Sequence, residues 1–253
     1  MSQALIIGVF NGAIYGLLAL GIVMIYRGTR VLSFAQPELG TVAAFTTWYF
    51  AAEQGWPWLA ALAVALTVVA LASLAFERLV IRRMAHAPRL AVTVATVGFM
   101  LLTLAVEAKV WGGSPRKLPH PIDGSHRVLG VFISNTQLIA LVTLAVLGFG
   151  LTWFLRRSDF GLGVLAASQD EEAARLNGVP VARVSAFTWV VAGVLAGIAT
   201  VLIAPTIGSV TFGMTSELFV PALAAALLGG LTSLAGAFVG GIVVGIGTEL
   251  AQF

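Results

Sequence analysis

No cysteine occurs in the 253 residues, which rules out disulfide staples, thiolate nucleophiles and cysteine-ligated metal sites. Charge is scarce too. Charged residues make up 10% of the chain against 59% hydrophobic, and mean hydropathy is +0.99. Soluble domains carry about 25% charged residues, so these few could not cover a water-facing surface, and an integral membrane protein is expected. The pI of about 9.8 rests on a net charge of only +3, too small an excess for nucleic-acid binding. The basic residues mark topology instead. Three histidines, His86, His120 and His126, fall in expected loops without convergent partners, so no metal site is expected. The sequence lacks a phosphate-binding loop of the G-x-x-x-x-G-K-(S/T) form, which excludes unaided ATP hydrolysis. No Ser/His/Asp arrangement stands out, so an enzyme is not expected. The first residues hold no basic run and no clear cleavage site, and read as a retained span.

What the chain has in abundance is long apolar runs. In lipid the backbone must satisfy its own polar groups, which calls for helices, and the runs are too long for the alternating strands of a membrane barrel. Eight segments are expected, at about 3–26, 39–52, 58–76, 90–111, 137–155, 184–204, 214–228 and 236–250. The fold class is therefore an all-α polytopic bundle, a single transmembrane domain over 1–253, with some segments short or broken. Gly8, Gly12 and Gly16 form a small-residue stripe at spacing four, which lets a neighbouring helix approach closely. Gly193/Gly197 and Gly236/Gly240 repeat that spacing and are assigned to helix packing. Trp56 and Trp58 flank Pro57 at an expected interface level. The stretch 112–136, with Pro115, Pro119, Pro121 and Asp123-Gly124, reads as a long loop, and 205–213 as a turn punctuated by Gly and Pro.

The most polar long stretch is 158–183. Ser168 and Glu171 have the spacing of a capping box. Asp170, Glu171 and Glu172 then fall in the first turn, where the helix dipole favours negative charge. Glu171 precedes Arg175 by four, the favourable order for a helical ion pair. Asn177-Gly178 followed by Pro180 is a stop signal. A short helix is thus expected over 169–177. When the spans alternate with this helix inside, Arg27, Arg30, Arg78, Arg82, Arg83, Arg89, Arg156, Arg157, Arg175 and Arg183 fall inside. Lys109, Arg116, Lys117 and Arg127 fall outside, so ten of the fourteen basic residues are cytoplasmic. This positive-inside bias puts the N-terminus outside and the short helix in the cytoplasm, where it could be a plain polar loop or a docking element; the cytoplasmic placement favours docking.

Two hydrophobic segments are interrupted, one in each half: 33–40 with Gln36, Pro37 and Glu38, and 213–221 with Thr215, Ser216 and Glu217. Paired interruptions of this kind point to a transport route. Glu38 and Glu217 either face water or protein along that route, or lie at span ends; for Glu217 the span end is favoured, because Thr215-Ser216 could cap the next helix.

Three stretches resemble the LivH/LivM-type permease family, the membrane subunits of branched-chain amino acid ABC importers. They are Asn11–Phe45 (NGAIYGLLALGIVMIYRGTRVLSFAQPELGTVAAF), Gly161–Val184 (GLGVLAASQDEEAARLNGVPVARV) and Leu227–Leu250 (LLGGLTSLAGAFVGGIVVGIGTEL). The resemblance covers most of the chain. Glu172-Ala173-Ala174 followed by Gly178 is similar to the EAA-x-x-x-G pattern of binding-protein-dependent permeases. One position departs from the family pattern: Pro37 stands where Gly is usual.

The resemblance implies that 158–183 is a cytoplasmic coupling loop. Its helix, with Ser168, Asp170, Glu171, Glu172, Ala173, Ala174, Arg175 and Gly178, would seat in a groove of an ATPase. It also implies a multi-pass inner-membrane protein working with a second permease subunit, two cytoplasmic ATPase subunits and an extracytoplasmic substrate-binding protein. No cofactor is expected in this chain, since ATP and Mg would be bound by the ATPase subunits. Typical members continue for another hydrophobic span, so a final span is expected to be missing from this sequence. The alternative class is a self-sufficient secondary transporter or channel, which would need an intramembrane titratable cluster. Glu38, Glu107 and Glu217 are the candidates and look scattered along the chain.

Overall fold

In the computed structural model, residues 2–85, 87–122, 124–128 and 131–251 are described. The chain forms helices α1 (Ser2–Thr29), α2 (Glu38–Trp48), α3 (Trp58–Phe76), α4 (Arg89–Trp111) and α5 (Asn135–Arg157). Then follow α6 (Asp159–Gln169), α7 (Glu171–Leu176), α8 (Val181–Ile207), α9 (Met214–Gly229) and α10 (Leu234–Ala251). Six of these helices are long and apolar enough to cross a membrane: α1, α3, α4, α5, α8 and α10. α9 is a shorter apolar helix, and α2 continues through a π-helical turn, Tyr49–Glu53. A hairpin, β1 (Ser125–Val128) and β2 (Val131–Ser134), is paired antiparallel within the stretch read as loop. His86, Asp123 and the final Gln252-Phe253 lie outside the described residues.

The helices divide into a centre and a shell. Across the most apolar windows, 72% of α1 and 61% of α8 are buried, against 28% or less for α3, α4, α5 and α10. α1 packs along α10 and α8, and touches α9, α5 and α6 as well. The outer helices turn Leu71, Leu101, Leu102, Val142, Phe149 and Trp153 outward, all exposed. Outward apolar side chains on every outer helix suit a lipid surrounding, so the helical membrane protein expected is consistent with the structure, while the β1–β2 hairpin departs from the all-α expectation.

Close backbone approach at small residues joins α1 to α10. A Cβ on Gly12 would stand 2.7 Å from the Gly241 carbonyl oxygen, and one on Gly8 would stand 2.7 Å from Ile246 Cα. Neither helix backbone could yield. Gly16 meets the Leu144 side chain of α5, Gly193 meets Ser73 and Val69 of α3, and Gly197 meets Leu66 and Ala43. Gly236 and Gly240 lie against Gly229 and Ala225 of α9. All seven of these glycines therefore meet other helices of this one chain.

One expected interruption is absent, since α9 runs without a break through Glu217 and Pro221. The turn expected over 205–213 is present but shorter, because α8 runs through Pro205 to Ile207 and leaves only 208–213 outside the helices. Pro221 sits in the second turn of α9, and in a packed bundle a missing N–H in a helix is tolerated. The true break is 30–37, between α1 and α2, where the chain leaves helical form while Val31, Ser33, Ala35, Gln36 and Pro37 stay buried. Arg30 turns this corner with φ of 54°. Its guanidinium Nε donates to the Ser168 carbonyl oxygen of α6, which ties the end of α1 to the polar stretch.

Candidate functional site

At the basic end of the bundle, α5 leads into two short helices instead of one. α6 was not expected, because Gly161 and Gly163 lower helix propensity there. It forms because Ser158 Oγ accepts from Gly161 N at 3.0 Å and because Val164 and Ala167 are buried in the core. The helix over 169–177 is corrected accordingly. Ser168 lies inside α6, with its hydroxyl donating to Leu165 O at 2.7 Å, so the Ser168/Glu171 box does not form. Asp170 is the cap instead, in extended conformation (φ −148°, ψ 109°). Its Oδ1 accepts from Ala173 N at 3.0 Å. The reciprocal box occurs elsewhere, at the start of α5, between Ser134 and Gln137.

The other signals on α7 are realised. Arg175 pairs with Glu171 at 2.8 Å. Asn177 Nδ2 donates to Ala173 O at 2.8 Å, and Gly178 takes φ of 81°. Ala174 is buried in the bundle core, whereas Glu171, Glu172, Ala173 and Arg175 are exposed. Leu176 is 84% exposed, a large apolar side chain on a polar helix. Beside α7 opens a cavity of about 480 Å³, lined by Arg30, Glu77, Arg82, Arg89, Asp170 and Glu171 among others. Arg82 bridges its walls, pairing with Glu77 at 3.1 Å and donating to Ala182 O at 3.0 Å. α7 is thus a short helix capped at both ends, anchored by Ala174 and exposed on its other faces.

The stretches 33–40 and 213–221, both expected to be interrupted, meet inside the bundle. Gln36 is fully buried, and its Nε2 donates to Ala192 O of α8 at 3.1 Å. Pro37 occupies the position before α2, in helical conformation, with its carbonyl accepting from Gly40 N at 2.7 Å. Glu38 opens α2 and accepts from Ser216 Oγ, in the first turn of α9. Thr41 and Thr215 share a hydrogen bond of 2.8 Å between their hydroxyls. Glu217 is exposed on that turn, away from this contact.

In the sequence Glu107 stands apart from the other acids, near the end of a span. It is fully buried, and its Oε2 accepts from Gly213 N at 3.2 Å. Gly213 is the residue before α9, so Glu107 of α4 and Glu38 of α2 converge on the same first turn. Insertion scales put a charged side chain at mid-span at about 2.5–3.5 kcal/mol. The start of α9 offers each acid one donor, Gly213 N to Glu107 and Ser216 Oγ to Glu38, and a helix N-terminus favours negative charge. A further acid on a spanning helix, Glu249 near the end of α10, is not among the sequence candidates; its Oε1 accepts from Asn11 of α1 at 2.7 Å. The signal was available, since Glu249 interrupts the last apolar run. His120, considered for a metal site, is within hydrogen-bond distance of Thr136 at 3.2 Å; the side chain of His126 is not among those described.

Residues 4–253 match the family described as branched-chain amino acid transport system / permease component. The high-affinity branched-chain amino acid transport system permease protein BraD of Pseudomonas aeruginosa is 29% identical over 96% of this chain and 84% of that protein. LivH of Escherichia coli K12 is 27% identical over 99% of this chain and 85% of its own length. A probable branched-chain amino acid transport permease protein LivH of Methanocaldococcus jannaschii is 26% identical, covering 94% of this chain and 76% of that protein. No solved structure matches the chain. With a match over nearly its whole length, the chain belongs to the family of branched-chain amino acid transport permease components.

Proposed function

We infer that this chain is the transmembrane permease subunit of an ATP-binding-cassette importer, passing branched-chain amino acids or a related small polar solute across the inner membrane. Family membership over residues 4–253 carries this reading. α7 is the coupling helix: capped at both ends, held to the core by Ala174, and outward-facing through Glu171, Glu172, Arg175 and Leu176. A cytoplasmic ATPase that closes on nucleotide moves α7, and the rigid helices on either side carry the motion inward, as hinge-type switching requires. ATP and Mg belong to two such ATPase subunits, and a second permease subunit and an extracytoplasmic binding protein complete the assembly. The N-terminus lies outside, and α2 and α9 are the two short segments among eight. The solute route runs where they meet, past Gln36, Pro37, Glu38 and Ser216.

The test is a cysteine crosslink scan over 169–177 in membranes holding candidate ATPase subunits, which the cysteine-free background permits. Crosslinks confined to the exposed positions and changed by nucleotide are expected. Uniform absence of crosslinks, with the subunits verified as present, removes the docking role.

A self-sufficient transporter is favoured by one observation, the gathering of Glu38 and Glu107 at a single helix start. Solute uptake by the purified chain alone in liposomes would establish that second reading; inactivity without an ATPase is expected.

A further inference from the structure

Among the described residues, eight buried polar side-chain atoms have no hydrogen-bond partner; three are N–H groups, of Trp58, Arg116 and Trp189, and the other five are oxygens on the interrupted segment, on α2 and on helices that touch it. Ser33 Oγ, Gln36 Oε1 and Glu38 Oε2 belong to the interrupted segment and the start of α2. Thr200 Oγ1 lies against Gly40, within the first turn of α2. Glu107 Oε1 belongs to the carboxylate that shares the α9 start with Glu38. Gln36, Glu38 and Glu107 are all at most 1% exposed.

The chemistry of these atoms defines the partner. Three of them, Gln36 Oε1, Glu38 Oε2 and Glu107 Oε1, can only accept when the acids are ionised, and the other two are hydroxyls. A site made of unpaired acceptors calls for a donor, and one with two carboxylates calls for a cation. No described Lys or Arg forms an ion pair with either acid; the ion pairs are Arg82–Glu77 and Arg175–Glu171. Arg116, on the segment bridged to Val210 ahead of α9, lies over the Trp48 ring at 4.8 Å, with its Nε buried and without a hydrogen-bond partner, and forms no ion pair with either acid among the described residues. The N-terminus of α9 satisfies one oxygen of each acid through Gly213 N and Ser216 Oγ, leaving the second oxygen of each. A primary ammonium has three N–H donors and one positive charge, which matches that deficit in number and sign.

We propose that Glu38 and Glu107 form a site for the protonated primary amine of the transported solute, with Gln36 Oε1 on the adjoining break as a further acceptor. The proposal rests on the permease reading and deepens it. It selects solutes that carry an ammonium, such as amino acids, over urea, amides and plain carboxylic acids. Because the pair is closed over in this conformation, solute reaches it when α2 and α9 part.

The test is a thermal-shift titration of the purified chain in nanodiscs with three probes of one carbon skeleton. L-Leucine carries both an ammonium and a carboxylate, 3-methylbutylamine only the ammonium, and 4-methylpentanoate only the carboxylate. The two amines are expected to raise Tm in a saturable way, and 4-methylpentanoate to leave it unchanged. Glu107→Gln and Glu38→Gln are each expected to weaken the amine response by about tenfold or more, as for loss of one buried charged partner. Equal shifts by all three probes, or none from either amine, overturn the proposal, and this comparison needs no variant to fold. Leucine uptake by the full importer separates the two inferences. Amine binding without uptake sinks the importer and keeps the site; uptake without amine binding does the reverse.

Discussion

Asp170 caps α7 and Ser168 does not, although both residue types are good caps. A cap must have extended backbone, because its side chain reaches forward to an amide that the helix leaves free. α6 continues through Gln169, so Ser168 is helical and its hydroxyl turns back to Leu165 O. Asp170→Ala is expected to cost the local helix about 0.5–2 kcal/mol, and hydrogen exchange at the Ala173 amide should accelerate. Ser168→Ala should leave that amide as protected as before. Equal acceleration in both would show that the two residues act together. The Glu171–Arg175 pair counts for less, about 0.3–0.5 kcal/mol for an exposed i,i+4 pair, since both side chains are about half exposed. The helix therefore depends on its caps.

At the scale of elements, α1 and α10 hold each other through backbone contact. Lipid is as apolar as leucine, so helices in a membrane gain from close fit and not from burial away from water. Gly12→Ala would place a methyl group 2.7 Å from the Gly241 carbonyl oxygen, and the two helices would have to separate. A loss of about 1–3 kcal/mol, typical of overpacking, is expected, visible as a lower Tm in detergent. Gly98→Ala on α4 is the control, because nothing lies within 4 Å of the added Cβ and Tm should hold or rise slightly. If both variants behave alike, the close approach is not what joins α1 to α10. The spacing of Gly8, Gly12 and Gly16 was legible as a packing stripe. Its partner, Gly241 and Gly245 of α10, could be identified only once the two helices lay side by side.

The whole molecule has one basic end, where Arg30 reaches Ser168 and Arg82 reaches Ala182, and an opposite end where Gln54 and Gly55 close α2. Arg27 and Arg156 line a groove with Thr232 and Ser233, so the turn between α9 and α10 shares the basic end. Positive charge is retained on the cytoplasmic side. With cysteines placed singly, Gln54→Cys is expected to react with an impermeant thiol reagent in intact cells, and Arg83→Cys only after permeabilisation. The reverse pattern would invert the orientation and put α7 outside, away from any ATPase.

The amino-acid sequence by itself determined the solvent and the spans. Composition cannot be reconciled with a water-facing surface, and the long helices begin and end within a few residues of their expected limits, because length and hydropathy are local properties that lipid enforces. It also determined α7 as a stopped, charged helix, through Glu171, Arg175 and Gly178. Tertiary structure decided what depends on distant partners. α6 forms despite two glycines because the core receives Val164 and Ala167, and α9 stays continuous across Pro221 because neighbouring helices hold it. Glu38 and Glu107 lie in different helices, and nothing in the chain's order relates them. Only the packing of α2 and α4 against the first turn of α9 brings both carboxylates to one place, where a helix N-terminus can hold negative charge that lipid would refuse.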